Sequence, residues 1–399
     1  MGKRVEIMMA QSGGIAQLNA GAGSQYLVQT PTGVLYLIYN DSLQDATFKK
    51  SIDGGLTWSN PTTIFAGGLT QLSIWYDRWS GIAAGLIHCA YSDSTTSDIT
   101  YRTIDTENSD ALSTQTVVFA GVSVVTAGSS ISLSRSRGGN VYCRVCIDAG
   151  AEGGFFRLPN ANVPNGAWDA ARTINEALAT LDKCILVPGF AADNQDMILI
   201  FWDASANEIS RQLYDDSANT WAETSISGSM TSVAATSGYP QFSATVDLTN
   251  SRIILVAWNG VDTANADLLG WTVTESTITA FTTSVVLNGT DDQGLCGITL
   301  DLQTNYWWVF YGGKSDGSET YSTSINIYYK VSKDDGATWG AETLATAAAN
   351  SILGLYVIPR VYLGSPPVYL MLNTTLMVNV TYRLNVDLAV PQAKYKLGI

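Results

Sequence analysis

The stretch Ser51-Ile52-Asp53-Gly54-Gly55-Leu56-Thr57-Trp58 returns as Ser332-Lys333-Asp334-Asp335-Gly336-Ala337-Thr338-Trp339, so that both copies read S-x-D-x-G-x-T-W. Each shared position has a physical reading. The glycine suits the φ > 0 position of a tight hairpin turn. The aspartate carboxylate is placed to accept turn N–H groups, and the tryptophan is expected to lay its ring beside the next unit. In a chain of 399 residues, an internal repeat decides for one array over two ordinary domains.

Working outward from the two copies, the tryptophan position recurs as Leu112, Trp168, Trp221, Phe281 and Trp339, with a worn box (Asp216, Ala218, Thr220) ahead of Trp221. A second landmark lies upstream in most units, an apolar run ending in a large residue followed by a small or polar one. Its anchors are Tyr39, Tyr91, Ile147, Trp202, Trp258, Tyr311 and Leu372, at spacings of 52, 56, 55, 56, 53 and 61 residues. Near-continuous apolar runs are what a strand buried on both faces requires. Units of about 40–60 residues with four strands each are the mark of a propeller.

The motif Ser51, Asp53, Gly55, Thr57, Trp58 and its copy Ser332, Asp334, Gly336, Thr338, Trp339 resembles the Asp-box of the sialidase and BNR-repeat superfamily. That resemblance implies an all-β fold, a single β-propeller spanning residues 1–399; the seven anchors point to about seven four-stranded blades, and six blades plus accessory strands, closer to the sialidase pattern, is the alternative. Strand A is expected over Gln25–Gln29, B over Val34–Tyr39, C over Ala46–Lys50 and D over Thr62–Phe65, with Ala167–Thr180 read as strand D and loop of the third unit. The seventh unit takes its fourth strand either from Lys394–Ile399 or from Arg4–Met9. The N-terminal strand is favoured, because pairing the chain ends removes an exposed edge.

Charge narrows the function. With 21 basic against 35 acidic residues the net charge is −14, which disfavours nucleic acid and anionic membranes as partners. No apolar run approaches the ~18 residues of a membrane span, and the start of the chain carries no apolar leader segment. Only 14% of residues are charged, so Ser, Thr, Asn and Gly supply the polar surface. The five cysteines, Cys89, Cys143, Cys146, Cys184 and Cys296, fall in or at the start of apolar strands and read as buried free thiols. Cys143 and Cys146 point to opposite strand faces and are poorly placed to share a metal. No metal site is expected, and the single histidine, His88, leaves no Ser-His-Asp arrangement.

In Asp-box propellers the binding face is built from the B-to-C loops and the D-to-A connections, opposite the boxes. Here those loops open at Asn40, Asp41, Asp93, Asp148, Asp203, Asn259 and Asn373. Asn and Asp start turns by capping their own backbone; a ring of acceptors for sugar hydroxyls, or for a hard cation such as Ca²⁺, is the sharper reading. Asp182, Asp262, Asp267, Asp291, Asp292, Asp316 and Glu319 are placed on the same face, with Lys183 and Lys314 as its cations, and Tyr239 and Tyr321 as candidate stacking rings. The family's sialidases hold their carboxylate substrate with three converging arginines. Here Arg78 and Arg252 fall in A-to-B turns, Arg102, Arg157 and Arg211 in strand C, and Arg172 in strand D, so that catalytic set is not carried over. The expected function is a non-enzymatic recognition or structural propeller. It is a virion component such as a phage tail or fibre-associated protein, working outside the cell on other virion proteins or cell-surface glycans. A sialidase-like or neutral-sugar glycoside hydrolase and an architectural adaptor are the alternatives.

Overall fold

In the computed structural model the described residues are 5–9, 27–40, 43–55, 57–77, 85–122, 130–147, 153–179, 182–228, 230–231, 242–259, 266–289, 296–301, 304–312, 314–315, 326–346, 352–359, 368–374 and 380–384. They are all-β apart from one 3₁₀ turn at Asn160–Asn162. Strand β1 is Val5–Met9. Blade 1 follows as β2 (Leu27–Gln29), β3 (Leu35–Asn40), β4 (Ala46–Ser51) and β5 (Thr62–Phe65). Blade 2 holds β6 (Leu69–Tyr76), β7 (Leu86–Asp93), β8 (Asp98–Asp105), β9 (Ala111–Leu112) and β10 (Thr116–Phe119). Blade 3 holds β11 (Ser130–Arg135), β12 (Val141–Cys146) and β13 (Gly153–Leu158). Blade 4 is β14 (Lys183–Pro188), β15 (Met197–Asp203), β16 (Glu208–Asp215) and β17 (Thr220–Ser227). Blade 5 is β18 (Phe242–Asp247), β19 (Arg252–Asn259), β20 (Ala266–Val273), β21 (Ile278–Ala280) and β22 (Val286–Gly289). Blade 6 is β23 (Cys296–Leu300), β24 (Trp307–Gly312), β25 (Ile327–Ser332) and β26 (Thr343–Thr346). Last come β27 (Ile352–Pro359), β28 (Val368–Thr374) and β29 (Val380–Leu384).

Every blade is an antiparallel meander, the layout of a β-propeller. The second strand of each blade is its apolar centre: β12 and β24 are buried along their whole length. The anchors Tyr39, Tyr91, Ile147, Trp202, Trp258 and Tyr311 are all buried. Outer strands face water, as in β17. Apolar clusters fill the seams between blades 1 and 2, 2 and 3, 3 and 4, 4 and 5, and 5 and 6. The described side chains therefore build six blades. A further sheet, in the order β1-β29-β28-β27, joins the two ends of the chain, with Val5 opposite Leu384 and Met9 opposite Val380. Its β27 lies against both β23 and β2.

The innermost strands are tied to one another by serines. Ser73 accepts the Leu133 N–H at 3.0 Å, Ser132 the Leu186 N–H at 2.8 Å and Ser243 the Ile298 N–H at 3.2 Å. Each bond satisfies an inner-edge N–H that has no partner within its own sheet.

Both Asp-boxes close alike. Asp53 accepts the Thr57 N–H at 2.9 Å and its hydroxyl at 2.6 Å, while Ser51 Oγ accepts the Gly55 N–H at 2.7 Å. Asp334 and Ser332 repeat this with Thr338 at 2.9 and 2.6 Å and Gly336 at 2.8 Å. Gly55 and Gly336 have φ of 91° and 82°.

Three expectations are corrected. Trp168, Trp221 and Trp339 pack on the preceding blade rather than the next, against Tyr101, Phe155 and Phe281 at ring separations of 5.3, 5.0 and 5.7 Å. In these three blades the twist of the sheet is what brings an outer-strand ring over the neighbour before it rather than after it. In blade 3 the stretch read as strand D is irregular, meeting β13 through the Phe155–Arg172 bridge and the Asp169 N–H donated to Arg157 O at 2.8 Å. The cause is local: Arg172 turns to Tyr214 and Asp216 of blade 4. Around Trp221 the box chemistry is gone. Asp215 caps the turn through Ser217 and the Ala218 N–H, and Asp216 instead receives Arg157 and Arg172.

Candidate functional site

The B-to-C turns and D-to-A connections share the face opposite the boxes, here called the upper face. Three of the sequence-selected acceptors on it are described through their side chains. Asp93 accepts the Thr95 N–H at 2.7 Å and the Thr96 hydroxyl at 2.8 Å. Asp203 accepts the Ser205 N–H and hydroxyl, each at 2.7 Å, and the Ala206 N–H at 3.1 Å. Asn259 accepts the Thr231 N–H at 3.0 Å, pinning the connection into blade 5. All three therefore support backbone. Asp41 and Asp148 lie outside the described residues, as do Arg78, Tyr239, Asp262, Asp291, Asp292, Asp316, Glu319 and Tyr321. So do the side chains of Asn40 and Asn373.

Sequence reasoning missed a recurring clamp at the start of the third strand. Asp45 accepts the Gly67 N–H at 2.6 Å and Asp98 the Gly121 N–H at 3.0 Å, each fastening the connection that leaves its own blade. The equivalent spacing of Asp45 and Asp98 within their units was the available signal.

Among the described residues, a polar cluster lies where blade 3 meets blade 4. Asp182 is buried and accepts the Ala179 N–H at 2.6 Å and the Ala204 N–H at 3.0 Å. Burial raises its pKa while those two donors pull the other way. Farther out, the Gln212 amide donates to Glu176 at 2.8 Å and to Glu223 at 3.2 Å, so one amide holds two carboxyl groups together. Partial burial first, then the Glu223 and Asp203 carboxylates, push Glu176 up to about 7. Because Glu223 belongs to β17, the outermost strand, this pair sits toward the outer edge of the blade.

The described arginines are drawn into the frame. Arg102 donates to the carbonyls of Ser113 and Ile64, at 2.7 and 2.6 Å. Arg135 donates to Gly139 O at 3.0 Å and Asn160 at 2.9 Å, and faces Asp77. Arg157 and Arg172 converge on Asp216, Arg211 donates to Thr274 O at 2.6 Å, and Arg252 bridges Asp247 and Asp335. Arg144 is buried between blades 3 and 4, its guanidinium 5.7 Å from the Phe201 ring centre. His88 is wholly buried, bonded to Tyr101 at 2.6 Å, and burial followed by Arg135 lowers it to about 3. Among the described residues no three His, Cys, Asp or Glu side chains gather as a metal site, and no helix is long and apolar enough to cross a membrane.

No protein-family model and no curated protein matches the chain. Solved structures do. An arginine-to-alanine mutant of AofleA from Arthrobotrys oligospora is 12% identical, covering 87% of this chain and 91% of that one at a TM-score of 0.49. A protein of unknown function from Dyadobacter fermentans is 10% identical, covering 95% and 99% at 0.46. A Trypanosoma rangeli sialidase is 8% identical, covering 94% of this chain but 54% of its own at 0.45. The propeller assignment rests on the sheets described above.

Proposed function

We propose that this chain is a non-enzymatic propeller for recognition or structure, a virion component of the phage tail or fibre kind, whose upper face takes neutral glycans. The observation that carries this reading is how the polar groups are used. Arg102, Arg135, Arg157, Arg172, Arg211 and Arg252 serve the frame, and Asp93, Asp203 and Asn259 serve backbone turns, so these six arginines cannot supply the three converging arginines a sialidase needs, and Arg144 alone does not make that set. A net charge of −14 adds to this by repelling anionic sugars. The low-charge surface of Ser, Thr, Asn and Gly and the buried free cysteines accord with a protein folded in reducing cytosol and working outside it. The test is a glycan array with mass spectrometry of each retained spot. Intact retained glycans are the expected result. Trimmed glycans replace this reading with a hydrolase, and silence on both readouts leaves the architectural adaptor.

The hydrolase reading has one observation behind it, the Glu176–Glu223 pair on Gln212. A carboxyl raised to about 7 beside a second carboxylate is the division of labour of a general acid and its partner. Glu176→Gln and Glu223→Gln would each abolish trimming if it occurs.

We further read the sheet β1-β29-β28-β27 as a seventh blade and the whole chain as one propeller. Support comes from its antiparallel order and from β27 lying between β23 and β2. Removing residues 1–9 takes away β1 and exposes the edge of β29. A lower Tm and self-association in light scattering are expected; an unchanged monomer with an unchanged Tm opposes the reading.

A further inference from the structure

Two of the five cysteines meet across a blade seam. Cys146 ends β12 of blade 3, and Cys184 is the second residue of β14 in blade 4; their sulfurs lie 3.8 Å apart and share a hydrogen bond. Ser130 Oγ is 3.7 Å from the Cys184 sulfur. Small residues flank the pair: in the blade 3 ladder Cys146 stands opposite Ser130 on one side and Gly153 on the other. A disulfide needs its sulfurs near 2 Å, so the gap closes through side-chain rotation of the two thiols, with strands already in contact. Cys143, three residues earlier, belongs to the opposite seam with blade 2 and has no such neighbour. The hydrogen bond with Cys184 lowers Cys146 and burial opposes it; Arg144 and Lys183 lower it further while the Asp182 carboxylate raises it, with a net lowering. The Arg144 guanidinium is itself buried with Nε and Nη1 lacking hydrogen-bond partners, so it has unused capacity to stabilise negative charge at this seam.

We propose that Cys146 and Cys184 are a redox pair that closes a reversible disulfide between blades 3 and 4 when the protein meets a peroxide. The Cys146 thiolate attacks one peroxide oxygen, the O–O bond breaks, and the departing oxygen takes a proton, leaving Cys146 as a sulfenic acid. The Cys184 sulfur then attacks the Cys146 sulfur. The S–O bond breaks, and hydroxide leaves with the thiol proton as water. With hydrogen peroxide the two thiols are oxidised to one disulfide and the oxidant is reduced to two waters. Both sulfurs are buried, so the reaction proceeds as the seam opens locally. The product staples two neighbouring blades, and its use in moving from a reducing to an oxidising compartment rests on the proposed virion reading.

The test treats the folded full-length chain with hydrogen peroxide at a small molar excess, then blocks free thiols in denaturant. The expected result is a mass about 2 Da lower before blocking, loss of two of the five thiols and a Cys146–Cys184 peptide on mapping, all reversed by dithiothreitol. The Tm of the oxidised form should rise by several degrees, since the link restricts the unfolded chain. Cys146→Ser and Cys184→Ser should each abolish the crosslink, and Cys143→Ser should leave it in place. Five free thiols after treatment of the folded protein overturn the proposal. So does a crosslink between any other pair, or one that forms only once the chain is unfolded.

Discussion

Gly336 shows how one position serves two constraints. Its φ of 82° lies where side chains are strained, and a Cβ built there would stand 2.7 Å from the Trp307 ring. Gly336→Ala should therefore lower stability by about 2 kcal/mol or more in urea unfolding. Two carboxyl groups titrate in opposite senses. The Thr338 hydroxyl and N–H hold Asp334 below its ordinary value, so its contribution is present above the unfolded pKa and lost as pH falls. Glu176, raised to about 7 from 4.5, binds a proton in the folded state that the unfolded chain has released. Its contribution is full below 4.5 and lost as pH rises through 7. Melting curves from pH 4 to 8 should show this loss, and Glu176→Gln should flatten that part of the profile. An unchanged slope in the variant would show that the carboxyl is ordinary. The tight box chemistry was legible in the motif itself. The Glu176 pairing was not, because Glu176, Gln212 and Glu223 come from separate strands and connections.

At the scale of elements, the serine bonds between innermost strands make a sharp comparison. Ser132→Ala would leave the buried Leu186 N–H without its acceptor, at about 1–3 kcal/mol. Ser134 is equally buried, yet its hydroxyl makes no hydrogen bond, so Ser134→Ala should fall within about 0.5 kcal/mol of the parent. Equal losses in the two variants would remove the strand-to-strand role. The strand order within a unit was readable because apolar runs, turn residues and the box recur at matched spacing. The irregular outer stretch of blade 3 was not, since its sequence position matched the repeat while Arg172 turns to Tyr214 and Asp216 of blade 4.

Among the described residues the five seams between blades 1 and 6 are apolar, each contributed by two units. That arrangement makes nearest-neighbour stapling effective. Oxidation at Cys146 and Cys184 should protect the amides of β12, β14 and β15 from hydrogen exchange more than those of blade 6. Uniform protection across all blades would point to a global effect instead. On the upper face the carboxylates of Asp45, Asp98 and Asp182 fasten loops and connections.

By itself the sequence determined the all-β repeat, the Asp-box turns and the buried second strands, because each follows from periodicity or local hydrogen bonding within a unit; it left two candidates for the last sheet's fourth strand, and the structure pairs β1 with β29. Only the tertiary structure decided which way the tryptophans lean, which carboxyl groups share Gln212, and which cysteine faces which. Those are contacts between units, and a contact between units depends on the twist and rotation of one blade against the next, which no spacing within a unit encodes.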